Sequence, residues 1–169
     1  RVEARTAELS VANESLMAEI EERKATVRAL RKTRDSLAEA QRIARLGNWD
    51  WDIVNDKLYW SDEIYRIFGL SPQEFDATYD AFMRSVHPDS REDVQQAVNR
   101  ALRERSPYSI DHRIVLPGGE ERMVHEQGEV SFDEGGKPVR MMGTVQDITE
   151  QNEAEEKLRA SQEDVRHLS

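Results

Sequence analysis

Four histidines, three tryptophans and no cysteine set the chemistry open to this 169-residue chain. Without a thiol there is no disulfide, no thiolate zinc site, no cysteine nucleophile and no partner for a flavin adduct. The spacing of His87, His112, His125 and His167 matches neither a zinc site nor a non-haem iron site, so no metal is expected. Trp49, Trp51 and Trp60 have the flat faces to stack on a cofactor ring, but core packing is the simpler use of them. No glycine loop cradles a nucleotide and no nucleophile stands with a base, so this chain is not expected to be an enzyme in itself. Asp147 and Thr149 have a different potential. They lie where an apolar strand pattern gives way to a helical one, with Ile148 between them. A carboxylate there can accept from the free N–H groups at a helix start, or pair with a nearby cation.

Three regions must position these residues. Residues 1–46 contain no Gly and no Pro and are rich in helix formers. One heptad register fits throughout, with Val2, Leu9, Leu16, Arg23, Leu30, Leu37 and Ala44 at d and Thr6, Asn13, Ile20, Val27, Arg34 and Gln41 at a. The stripe is narrow and long, which predicts a parallel two-stranded coiled coil rather than a helix lying on a globule. Asn13 would pair with its twin and fix the register, while Arg23 and Arg34 weaken the seam. A weakened seam suits an element that shifts between packings.

Residues 47–149 have another character. Gly47 is expected to end the helix. Residues 48–53 alternate, with Trp49, Trp51 and Ile53 on one face, and read as a half-buried strand that pairs through an Asn55-Asp56 turn with 57–60. Ser61 is expected to cap a short helix that Gly69 stops, Ser71-Pro72 to start another, and residues 79–86 to form a third. Asp89 would cap a longer helix to about Arg105, striped by Val94, Ala97, Val98, Ala101 and Leu102. Strands at 108–116, 121–132 and 138–148 follow, joined by turns at Pro117-Gly118-Gly119 and Asp133-Glu134-Gly135-Gly136. Tight antiparallel pairs with helices grouped between them make an α+β domain. In residues 150–169, capped by Thr149, a heptad recurs with Gln151, Leu158 and Val165 at a and Ala154, Ser161 and Leu168 at d. The chain begins at Arg1 without a methionine and its last heptads run to Ser169, so it is expected to be a segment of a longer protein.

The net charge is −10, with about +2 on residues 1–46, about −9 on 47–149 and about −3 on the rest. An acidic centre repels phosphate backbones, so no nucleic-acid partner is expected. No apolar run approaches the roughly 20 residues that span a bilayer, so this segment is expected in the cytoplasm, with room for a membrane anchor upstream of Arg1.

The middle region resembles the PAS family, in the subgroup called PAS fold-3. The resemblance is carried in order by Leu46-Gly47-Asn48-Trp49-Asp50-Trp51-Asp52, Tyr59-Trp60-Ser61-Asp62-Glu63, Ile67-Phe68-Gly69-Leu70-Ser71-Pro72, Val86-His87-Pro88-Asp89, the Pro117-Gly118-Gly119 turn and Gly143-Thr144-Val145-Gln146-Asp147-Ile148-Thr149. It implies a five-stranded antiparallel sheet of order 2-1-5-4-3, short helices on one face, a small cavity between the layers, and parallel dimers of the flanking helices. It also implies that Asp147, Ile148 and Thr149 couple the core to the following helix. Phe82, Met83, Val86, His112, Met141 and Gly143 are the expected cavity lining, with Met and Gly supplying adaptable space. The family's haem-binding members carry their axial histidine on the long helix, and residues 89–105 contain none. The cofactor is therefore left open, with none tightly bound expected. His87 is read as ordering its loop. Gly118-Gly119-Glu120-Glu121 is similar to the diguanylate cyclase signature, but Arg122 stands where that motif needs an aromatic, and a hairpin turn accounts for it. His167 lacks the context of a phospho-accepting histidine.

The domains are thus expected at 1–46, a coiled-coil linker seamed by Leu9, Asn13, Leu16, Ile20, Val27, Leu30 and Leu37; at 47–149, the sensor domain; and at 150–169, a signalling helix seamed by Leu158 and Val165. The expected function is sensing and signal relay within a multidomain protein of the sensor histidine kinase type, as a homodimer, with a kinase or cyclase domain downstream in the same chain. The alternatives are a ligand-free dimerisation spacer and the PAS region of a diguanylate cyclase.

Overall fold

The computed structural model describes residues 1–168; the expected end of the last heptad at Ser169 lies outside the described residues. Arg1–Ala40 form one unit and the chain from Gln41 onward a second. The first helix, α1 (Val2–Ala44), buries none of its residues, and large apolar side chains such as Leu9, Leu16, Ile20, Leu30 and Leu37 are exposed. Its composition of good helix formers favours the helix along its length.

In the second unit, five strands form one antiparallel sheet: β1 (Leu46–Asp52), β2 (Lys57–Trp60), β3 (Tyr108–Val115), β4 (Glu121–Phe132) and β5 (Pro138–Asp147). Their order is β2-β1-β5-β4-β3, as the resemblance implied. Between β2 and β3 run α2 (Asp62–Phe68), α3 (Tyr79–Ser85), a 3-10 turn at Pro88–Ser90 and α4 (Arg91–Glu104). The α+β expectation and its layering agree with the structure. Trp49 pairs with Trp60 across β1–β2, and Trp60 stacks on Phe75 with ring centroids 3.8 Å apart and leans on Phe68 at 4.7 Å. From α4, Val94, Val98 and Ala101 enter the same core, one helical face at spacings of four and three. The last helix, α5 (Thr149–Leu168), buries nothing.

Several local expectations are corrected. Gly47 does not end α1. It sits in β1, where a Cβ would lie 2.3 Å from Ile64 Cγ1, so glycine lets α2 lie directly on the strand. The left-handed residue after α1 is Arg45, at φ 53°. Ser61 stands at the N-cap of α2 but makes no cap; its Oγ accepts from Asn48 N–H at 3.0 Å and ties the helix start to β1. Ser71-Pro72 begins a turn, closed by Glu74 N–H on Ser71 C=O, and no helix follows. The residue before α4 is Ser90, because Pro88–Ser90 is already wound as a 3-10 turn containing Asp89.

Candidate functional site

Two places in the second unit carry polar groups whose position the fold fixes tightly. The first is the turn from β5 into α5. Asp147 Oδ1 accepts from the Thr149 N–H at 3.0 Å and from the Thr149 hydroxyl at 2.6 Å. The Thr149 Oγ1 in turn accepts from Met123 N–H at 3.0 Å, and Ile148 N–H donates to Met123 C=O at 2.9 Å. The start of α5 is thereby fastened to the beginning of β4, an interior strand of the sheet. The cap is supplied by the Asp147 carboxylate, and Thr149 serves as the first residue of the helix rather than as its cap.

The same turn holds the exit of α1. Asp147 N–H donates to Arg45 C=O at 3.0 Å, and Arg45 Nη1 lies 3.0 Å from Glu150. Next to Met123, Arg122 reaches the other way: its Nη1 donates to the carbonyls of Arg66 and Ile67, at 3.0 and 2.8 Å, at the C-terminal end of α2. Gly69 N–H already reaches Arg66 C=O at 3.3 Å, and the guanidinium adds a donor to both carbonyls where the helix ladder ends. A continuous set of bonds therefore runs from α2 through Arg122 and Met123 to Thr149, Asp147 and Arg45. Asp147, Ile148 and Thr149 stand together as expected; Arg45, Arg122 and Met123 were missed. Arg122 had shown itself only as the residue that spoils a cyclase-like motif.

The second place is a cavity of about 40 Å³ between the sheet and the helices. Its walls are Trp49, Trp51, Trp60, Tyr79, Phe82 and Tyr108, completed by Leu58, Val98, Met141 and Glu126. Of the expected lining, Phe82 and Met141 are there. The others are corrected. Val86 is fully buried elsewhere, bridged to Ile114 of β3. Met83 packs at the margin of the core. Gly143 leaves no adaptable space: it pairs with Gly128 of β4, and a Cβ there would lie 1.9 Å from Gln127 C=O. His112 stands behind the wall, edge-on to Phe82 at 6.2 Å between ring centroids.

Glu126 is the charged group of this lining and is 3% exposed. Its Oε2 accepts from the Tyr108 hydroxyl at 2.7 Å. His112 Nδ1 lies 3.2 Å from Arg113 C=O, which assigns the N–H to Nδ1. His112 Nε2 stands 3.5 Å from Glu126 Oε2, close enough for charge attraction but too long for a good hydrogen bond; it has no hydrogen-bond partner among the described residues. Burial alone pulls the His112 imidazole down, but Glu126 outweighs it, and His112 titrates above an ordinary histidine. Burial pushes the Tyr79 phenol up to about 12 and Tyr108 well above the ordinary tyrosine range, with Glu126 adding to both. Trp49 Nε1 is likewise buried without a partner.

Two other histidines order local structure. His87 Nδ1 accepts from Asp89 N–H at 3.1 Å, so Nε2 carries the proton toward Glu121 Oε1 at 2.7 Å. His125 pairs with Asp111 at 2.6 Å on an exposed face. Among the described residues no three His, Asp or Glu side chains are gathered to hold a metal, and no helix is long and apolar enough to cross a membrane.

A family model described as PAS fold matches residues 57–145. The chain is 32% identical over 142 residues to a blue-light-activated histidine kinase of Brucella abortus, covering 83% of this chain and 28% of that protein. It is 27% identical over 123 residues to the sensor protein FixL of Bradyrhizobium diazoefficiens, covering 73% and 24%. The chain thus spans about a quarter of the length of these curated relatives. A solved sensory box histidine kinase/response regulator from Burkholderia thailandensis superposes with a TM-score of 0.66 at 29% identity, covering 78% of this chain and 98% of that one. The N-terminal domain of a diguanylate cyclase with PAS/PAC sensor from Marinobacter aquaeolei gives 0.58 at 18% identity, covering 63% and 98%, a likeness of fold alone.

Proposed function

This chain belongs to the PAS fold family, and we propose that it is the cytoplasmic sensory and relay segment of a multidomain protein of the sensor histidine kinase type. In this reading the core between sheet and helices receives the input. The output is a shift of α5 within a parallel dimer, seamed by Leu9, Asn13, Leu16, Ile20, Val27, Leu30 and Leu37 before the domain and by Leu158 and Val165 after it. A kinase domain downstream reads that shift.

The observation that carries the reading is the double fastening of Asp147. Its side chain fixes the first turn of α5 and its backbone N–H holds Arg45 at the exit of α1. The bonds through Arg122 join that point to α2, whose Phe68 packs on Trp60 and Phe82 in the core. A change of core packing that moves α2 therefore pulls on a group that also orients α5. An input drives this only by binding two arrangements unequally. The kinase relatives support the choice of output; the cyclase alternative has fold likeness alone.

One observation favours a second reading, a spacer that senses nothing: the cavity is small for a cofactor, since about 40 Å³ holds no flavin ring system without moving its walls. The test is Asp147→Ala in the full-length protein, read by autophosphorylation with and without stimulus. Loss of the cap costs about 1 kcal/mol, so the fold is retained, and the response is expected to fall at least about tenfold. A normal response would remove the coupling role.

A further inference from the structure

We propose that the core cavity is a site for a small primary ammonium ion, held by Glu126 inside an aromatic cage. This rests on the reading of the core as the input site and gives that site its ligand class. Six of the ten lining residues are aromatic and one is a carboxylate, while the lining contains no Lys, Arg or His. Aromatic faces attract cations and repel anions, and the attraction grows when water is excluded. The Tyr108 hydroxyl and the His112 ring both stand at Glu126 Oε2, at 2.7 and 3.5 Å, and leave Oε1 for a ligand. An ammonium N–H placed against that carboxylate makes a charge-assisted bond within a site walled by aromatic rings.

Two further observations point the same way. Asp56 Oδ1 accepts from Trp51 Nε1 at 3.0 Å and from Tyr79 N–H at 3.1 Å, and the two rings stack at 5.1 Å. That wall is therefore preorganised without any ligand. Outside it, a surface cleft that shares Leu58 with the cavity is lined by Asp50, Asp52, Asp56 and Asp76 against Lys57 and Arg140, and Arg140 is already paired with Asp50. The surplus of negative charge at this flank draws cations in and keeps anions out. Size limits the ligand. About 40 Å³ exceeds the roughly 10–15 Å³ that holds one water and is far below the roughly 150 Å³ that accepts benzene. Trp49 Nε1, a buried donor without a partner, suits a ligand that also carries a hydroxyl.

All three tryptophans of the chain border the cavity, so intrinsic fluorescence reads it directly. The chain is titrated with methylammonium and with ethanolammonium chloride at constant ionic strength, beside acetate, ethanol and tetramethylammonium. The expected result is a saturable change with the two primary ammonium ions alone, weakened at least about tenfold in Glu126→Gln. No saturation with either ion, equal affinity for any of the three controls, or unchanged affinity in Glu126→Gln overturns the site. Should Glu126→Gln lose its folded circular dichroism, Phe82→Leu keeps the carboxylate and removes one ring. Weakening of about threefold is then expected, and unchanged affinity overturns the cage. Because the titration uses this chain alone, its failure leaves the relay role intact. An indifferent Asp147→Ala would strike the relay and leave the ligand.

Discussion

Two helices of this chain carry apolar stripes of similar spacing and meet opposite fates. In α4, Val94, Val98 and Ala101 are buried against the sheet, while in α1 the stripe of Leu9, Leu16, Leu30 and Leu37 touches no core at all. The difference is what each helix depends on. α4 is stabilised by the face it buries. α1 leaves its apolar stripe exposed, and its composition favours the helix along its length. A narrow a/d stripe on a long, charged helix is thus a request for a partner, whereas a broad stripe on a short helix is part of a core.

The comparison breaks most visibly at Trp60. Trp60→Ala removes the ring that stacks on Phe75 and leans on Phe68, and it should cost about 3–5 kcal/mol in urea unfolding followed by fluorescence. A cost below about 1 kcal/mol would mean that the aromatic layer is not the core's main support. The reciprocal change, Leu16→Ala together with Leu30→Ala, should leave the unfolding midpoint of the core where it was. It should raise the dimer dissociation constant at least about tenfold in sedimentation velocity. A core that loses stability instead would mean the stripe is satisfied within one chain.

The smallest expected effect sharpens the view of the core. His112 titrates above its ordinary 6.5 because of Glu126. Folding thus favours the protonated ring, and that contribution is complete below pH 6.5 and fades as pH rises through the elevated folded-state value. The stability difference between wild type and His112→Gln should therefore shrink as pH is raised from 6 across that window. A difference that is flat or grows with pH would show that His112 is buried neutral.

The sheet was legible because each strand carries its own local record: alternation in β1, and hairpin turns between β3, β4 and β5. The order β2-β1-β5-β4-β3 came from the family resemblance, since nothing local tells β1 to pair with β5. The turn into α5 was legible at Asp147 and Thr149 because a strand-to-helix change needs a cap there. Its other half was not. Met123 acts through its backbone and Arg45 in part through its own, groups any residue possesses, and Arg122 acts on carbonyls distant in sequence. The cavity was misjudged at Gly143 for a related reason. A glycine in a strand reads equally as open space or as close approach, and here the Gly128 backbone occupies the place. Glu126 was passed over because a charged residue in an alternating strand reads as solvent-facing, and only its pairing with Tyr108 shows that it points inward.

The bond between Arg45 C=O and Asp147 N–H has a consequence for how such a protein is assembled over time. After Arg45 the chain makes an excursion of about a hundred residues and returns to within 3.0 Å of where it left. The two ends of the domain meet at one peptide pair. A domain closed on itself in this way can be spliced into a helical stalk, duplicated in tandem, or lost from it, with repair needed at a single point. Lineages can thus exchange such a domain without redesigning the segments on either side of it.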